Sequence, residues 1–217
     1  LENRLYYANI HTTTYGGGEL RGQVASAAAS TVLRAHLSGS NEQPAVTSYA
    51  TGVVHAEVIA DTLIAYGSFS GLESAVATDI AGGAHIHAGQ AGENGAVAFA
   101  LSSGLNNEMD GGTFSSMDNR FPLNPDELAT VYDRGFYVNI HSVDQPGGEL
   151  RGQLLPEAPL YLTAVLGGGF EAPPVTTRAS GAVKAELRGN MLTVSGSFSG
   201  LSSAVDIGIV GGAHLHL

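Results

Sequence analysis

The sequence predicts an all-β chain: antiparallel Greek-key, immunoglobulin-like β-sandwich repeats with one short helix per repeat. Three observations carry that prediction. Short segments rich in apolar residues recur along the whole chain, separated by Gly, Pro, Asn and Ser. Apolar and polar residues alternate with period two, as in Phe136, Val138 and Ile140 against Tyr137, Asn139 and His141. An internal repeat of about 130 residues organises both patterns.

Taken in order, strands are expected at 31–37, 52–60, 62–70, 95–101, 136–142 and 149–155. The spacing predicts a helix over 125–133. Asn124 is placed to cap it, Pro125 suits its first turn, Glu127 lies three residues past the cap and Gly135 stands just beyond its end. Asp126 and Glu127 fit the positive pole of that helix. The stretch 103–120, SGLNNEMDGGTFSSMDNR, reads as a long surface loop.

Composition narrows the class. Hydrophobic residues make up 43% of the 217 residues, mean hydropathy is +0.09 and there are 30 glycines, enough for a sizeable core. No apolar run approaches the ~20 residues that span a bilayer. A net charge of -11 disfavours nucleic acid and anionic membrane as partners. The absence of cysteine excludes disulfides, thiolate catalysis, Cys-type zinc sites and a His-Cys blue-copper centre. The chain opens at Leu1 without a signal peptide, as expected of a mature, trimmed or excerpted sequence.

The repeat is explicit in several motifs. GGELRGQ stands at 17–23 and 147–153, and Asn-Ile-His at 9–11 and 139–141, both 130 apart. GSFSGL at 67–72 returns at 196–201, and GGAHIH at 82–87 returns as GGAHLH at 211–216, both 129 apart. Residues 1–24 therefore correspond to the C-terminal part of one repeat. Residues 25–154 make a complete repeat, and 155–217 are the N-terminal part of the next. Partial sandwiches expose strand edges and half a core. Three completions stay open: further sequence in a longer tandem array, closure of both ends within one chain, or head-to-tail strand addition between chains. The two partial repeats together lack a counterpart of 88–130.

The order of motifs resembles a known family. NEQPAV at 41–46, Gly71-Leu72, AHIHAG at 84–89, Asn94-Gly95, the run from Gly135 to His141 and PGGELRGQL at 146–154 follow one another as in the CHRD (chordin-type) domain. The resemblance covers 25–154 fully and both flanks in part. It implies an extracellular or cell-surface β-sandwich module and no single activity. The cysteine-rich modules that accompany this domain in chordin are absent, so binding of signalling proteins does not carry over.

Six of eight histidines fall on repeated motifs: His11, His85, His87, His141, His214 and His216. His36 and His55 do not recur, their counterparts being Val165 and Lys184. A His-x-His strand presents both imidazoles on one face. With Ala84, Ile86, Val138 and Ile140 turned to the core, His85, His87, Asn139 and His141 are expected on the opposite, outer sheet face, with Tyr137 beside them. If the two strands are neighbours, three imidazoles converge, a donor set suited to copper or zinc. The same pattern also suits histidines that hydrogen-bond backbone carbonyls. Glu149 and Arg151 share a face and are expected to lock a register or close one end of the sandwich. No second acid near Glu149 supports a catalytic carboxylate. There is no nucleophile elbow, phosphate loop or dinucleotide fingerprint. The carboxylates at 92–95 and 110–112 are too sparse for calcium.

The expectation is an extracellular structural or adhesive repeat protein, not an enzyme. It self-associates into a filament or forms part of a longer array, its partners being adjacent subunits or repeats. A copper-type site, zinc being the other candidate, is expected on the repeated histidines. The competing readings are a copper-dependent, superoxide-dismutase-like redox enzyme on the same histidines and a metal-free binding module.

Overall fold

The computed structural model describes residues 7–11, 13–14, 20–23, 31–158 and 160–215. A first hairpin pairs β1 (Tyr7–Ile10) with β2 (Leu20–Gln23). The complete repeat follows with β3 (Thr31–Leu37), β4 (Thr51–Ile59), β5 (Thr62–Ser70), β6 (Ala84–Ala88) and β7 (Ala96–Ala100). It continues with β8 (Ser103–Leu105), β9 (Gly112–Phe114), β10 (Arg120–Pro122), α1 (Pro125–Tyr132), β11 (Phe136–Ile140) and β12 (Leu150–Gln153). Just past the end expected at 154, β13 (Leu155–Pro156) pairs back onto β3 as its last strand. The C-terminal part contains β14 (Leu160–Gly167), β15 (Ser180–Arg188) and β16 (Met191–Ser199).

The complete repeat is an antiparallel sandwich. One sheet runs β13-β3-β4-β5-β9-β8, with β10 also pairing β5, and the other runs β12-β11-β6-β7. The chain crosses between them after β5, after β7, after α1 and again at Leu154. Alternation explains which residues meet. Leu33, Ala35, Val54, Ala56, Val58, Leu63 and Phe69 face Ile86, Phe136, Val138, Ile140 and Leu150 across one buried core. The helix forms where its capping signals stand. Asn124 Oδ1 accepts from Glu127 N at 2.9 Å, and Glu127 Oε2 accepts from Asn124 N at 2.8 Å. Arg134, at φ 61°, takes the left-handed position after the helix that Gly135 was expected to mark.

Two expectations need correction. The stretch 103–120 is not a plain surface loop, because it holds β8 and β9 and runs into β10. Gly112–Phe114 pairs with Gly67–Phe69 and sends Phe114 into the core. Three-residue strands flanked by Asn-Asn and Asp-Gly-Gly carry too few apolar positions to show an alternation. The strand expected at 149–155 is two strands. Its first half pairs β11 and its last residues pair β3, so the chain changes sheets at Leu154.

The chain divides into two compact units, one that ends at Glu157 and a second that comprises Ala91–Glu93 together with the residues from Ala158 onward. The second unit contains the three-stranded sheet β14-β15-β16. Its ladder reproduces that of β3-β4-β5 at an offset of 129, so that Thr51↔Ser70 becomes Ser180↔Ser199.

Candidate metal centre

Three adjacent strands of the smaller sheet set out a polar lattice on the face turned away from the core. Register places His85, Asn139 and Arg151 in one row and His87, Tyr137 and Gln153 in the next. Beyond the ends of β6 and β11, His141 N donates to Gly83 O at 2.8 Å and Glu149 N donates to Ile140 O at 2.8 Å. His141 and Glu149 thus continue the lattice by one row. A bulge between Ile86 and His87 shifts β7 against β6 at the histidines.

Alternation correctly separates this face from the core, but the face is not an outer one. His85 is 1% exposed, His87 8% and His141 6%. Loops cover them, and the lattice holds those loops down. Arg151 Nη1 donates to Asn94 Oδ1 at 3.0 Å and Nη2 to Gln90 O at 3.1 Å, while Asn94 Nδ2 donates to Gln43 O at 2.8 Å. Gln153 Nε2 donates to Gly89 O at 2.8 Å and to Arg134 O at 2.6 Å. Glu149 Oε1 accepts from Ser48 Oγ at 2.6 Å and from Glu73 N at 3.0 Å. Glu149 and Arg151 therefore close the end of the sandwich by pinning separate loops.

Each histidine has one ring nitrogen against a backbone carbonyl. His85 Nε2 lies 3.1 Å from Ala81 O, His87 Nδ1 3.0 Å from Gly95 O and His141 Nδ1 2.9 Å from Pro146 O. A carbonyl only accepts, so the nitrogen facing it carries the proton and the other nitrogen of a neutral ring keeps a lone pair. Burial lowers the pKa of His87 and of His141, with the neighbouring imidazoles acting in the same direction and the carbonyl contacts opposing it. The second nitrogens, His85 Nδ1, His87 Nε2 and His141 Nε2, are buried with no hydrogen-bond partner. A ligand nitrogen from each of the three lies within 4.8 Å of the others.

The surroundings fix the rings. Tyr137 stacks on His87, with centroids 4.9 Å apart at 11°, and Arg151 Cζ sits 3.5 Å from the Tyr137 centroid. The Tyr137 hydroxyl accepts from Gly95 N at 3.1 Å, tying the ring to the loop whose carbonyl holds His87. Asn139 Oδ1, Glu42 Oε1 and Glu149 Oε2 are also buried without a partner. Burial raises the Glu42 pKa to about 8 against the opposing charge of Arg151. Gly148, at φ 125°, leaves the room these groups use, since a Cβ there would stand 2.5 Å from Asn139 Oδ1 and 2.7 Å from Glu42 Oε1.

Among the described residues, the histidines brought together are His85, His87 and His141. His11, just after β1, and His214 are exposed residues of the partial repeats, and His216 lies outside the described residues. Sequence reasoning passed over Glu42 as part of this region. Its recurrence as Glu171, at the same offset as the histidines, was the available signal.

The family model of the CHRD domain matches residues 33–154 and again residues 162–217. No curated protein sequence matches the chain.

Proposed function

The chain belongs to the CHRD-domain family, and on that premise we propose that it is a non-enzymatic, secreted building block whose complete repeat holds a transition metal. CHRD domains are extracellular-type modules, and none of the described helices is long and apolar enough to cross a membrane. The ligands are His85 Nδ1, His87 Nε2 and His141 Nε2. One observation carries the reading: three buried nitrogens that keep lone pairs, converge and have no partner. A buried polar atom without a partner costs ~1–3 kcal/mol, and a shared ion relieves three such costs together. Carbonyls holding the opposite ring nitrogens are the usual support for metal-bound imidazole. Three imidazoles without a thiolate suit copper and zinc, and the ordering of divalent-ion affinities favours Cu²⁺.

Burial bears on the role. Rings closed off by the loops at 81–83, 89–95 and 145–149 favour an ion that is held over one that turns over substrate. Metal analysis of protein purified without chelator tests the reading, with copper and zinc each offered to the metal-free form. One equivalent of metal per complete repeat, lost in His87→Ala, is expected. Protein that takes up neither ion removes the metal from the proposal and leaves a structural module. Turnover of superoxide by the copper form would replace the holding role with the redox-enzyme reading.

A further inference from the structure

Among the described residues, β14-β15-β16 presents an open apolar face. Phe198 is 48% exposed where its counterpart Phe69 is 4%, and Leu192 is 42% exposed where Leu63 is 0%. In the complete repeat the same face is closed by Val138 and Ile140 of β11 and Leu150 of β12. The chain carries a second version of that covering hairpin. β1 and β2 pair Tyr7↔Gln23, Asn9↔Arg21 and Ile10↔Leu20, as β11 and β12 pair Tyr137↔Gln153, Asn139↔Arg151 and Ile140↔Leu150. Residues 9–11 and 17–23 are identical to 139–141 and 147–153.

We infer that the β1–β2 hairpin of one copy docks on the β14-β15-β16 sheet of a second copy. The complete repeat supplies the register. Ser38 and Arg151 form an antiparallel bridge between its two sheets, with Ser38 N donating to Arg151 O at 3.1 Å and Arg151 N to Ser38 O at 3.2 Å. The counterparts are Gly167 and Arg21. Gly152 lies so close to the end of β3 that a Cβ would stand 2.5 Å from His36 O. In the docked pair its counterpart Gly22 would meet Val165 in the same way. The acceptor face is exposed at Leu192, Val194 and Phe198, and the hairpin of a second copy carries the sequence that matches its cover. Each copy offers one hairpin and one open sheet, a heterologous contact that propagates head to tail. Docking also sets His11 beside His214, the counterparts of His141 and His85. This last consequence, a second metal position shared between copies, rests on the metal reading of the complete repeat.

The test uses two separately purified variants, Arg21→Cys and Gly167→Cys, mixed under mild oxidation with EDTA present. Gly167 has extended backbone, φ -165°, and accepts a side chain. The chain has no other cysteine. A hydrogen-bonded antiparallel pair spans ~5.5 Å between Cα atoms, within reach of a disulfide. The expected product is a heterodimer at least fivefold in excess of either homodimer. Adding Gly22→Val to the Arg21→Cys chain should lower it at least tenfold, since valine suits a free hairpin but not the seam. No heterodimer excess, or an excess that survives Gly22→Val, overturns the inference. So does a chain carrying both cysteine substitutions that closes only on itself at every concentration. Because EDTA is present, failure of the metal reading leaves the cross-link intact. If both hold, metal per chain rises from one equivalent towards two as the protein assembles.

Discussion

The complete repeat and the C-terminal sheet begin from the same strands and end in different states. β3-β4-β5 and β14-β15-β16 share one register, strand for strand. In the first the apolar face is sealed beneath β11, β12 and β6, while in the second Leu192, Val194 and Phe198 stand open. Local pattern and hairpin connection are therefore enough for the ladder. The core, and with it the cluster of His85, His87 and His141, requires the second sheet.

The sharpest way to break this comparison is a matched pair of truncations. Phe69→Ala removes a buried ring and should cost ~3–5 kcal/mol in denaturant unfolding. Phe198→Ala in the monomeric protein should cost under ~1 kcal/mol, because its ring is already half in water. Equal costs would mean that the C-terminal face is covered without a partner.

Metal sharpens the comparison next. At a hundredfold excess over its dissociation constant, a bound ion should stabilise the complete repeat by ~2.7 kcal/mol. The gain should vanish in His87→Ala and survive His214→Ala, as thermal melts with and without ion would show.

Glu42 and its counterpart Glu171 come third. The Glu42 carboxyl has its pKa raised to about 8 in the folded protein, so the folded state binds the proton more tightly than the unfolded chain. Its contribution to stability is complete below the ordinary carboxyl range. It falls by up to ~1.4 kcal/mol per pH unit as pH rises towards 8. Glu42→Gln should flatten that decline in melts between pH 5 and 9, while Glu171→Gln, at an exposed position, should not. A last, modest effect belongs to the cap of α1 in the complete repeat: Asn124→Ala should cost ~1 kcal/mol.

Much of the fold was legible because repetition and alternation are local. Matching motifs gave the offset at which the ladders of β3-β4-β5 and β14-β15-β16 coincide, and period two separated Ile86, Val138 and Ile140 from His85, Asn139 and His141. The capping residues Asn124 and Glu127 announced α1. What escaped depends on neighbours distant in sequence. Phe114 is a core residue only because β9 lies beside β5. The histidine face is buried only because Arg151 and Gln153 fasten loops over it, and no pattern within the strands records that cover. Glu42 enters the site through the space left at Gly148, which tertiary contact alone defines.

The change of sheets at Leu154 also sets how the repeat bears load. β13 returns antiparallel to β3, with Leu155 opposite Arg34 and Pro156 opposite Leu33, so the first and last strands of the repeat finish side by side. Tension applied through those two ends unzips β13 one hydrogen bond at a time and does not shear the ladder as a block. Single-molecule stretching should therefore show a short, low-force extension before the sandwich itself gives way. A string of such repeats would lengthen slightly under strain while each histidine cluster stayed closed.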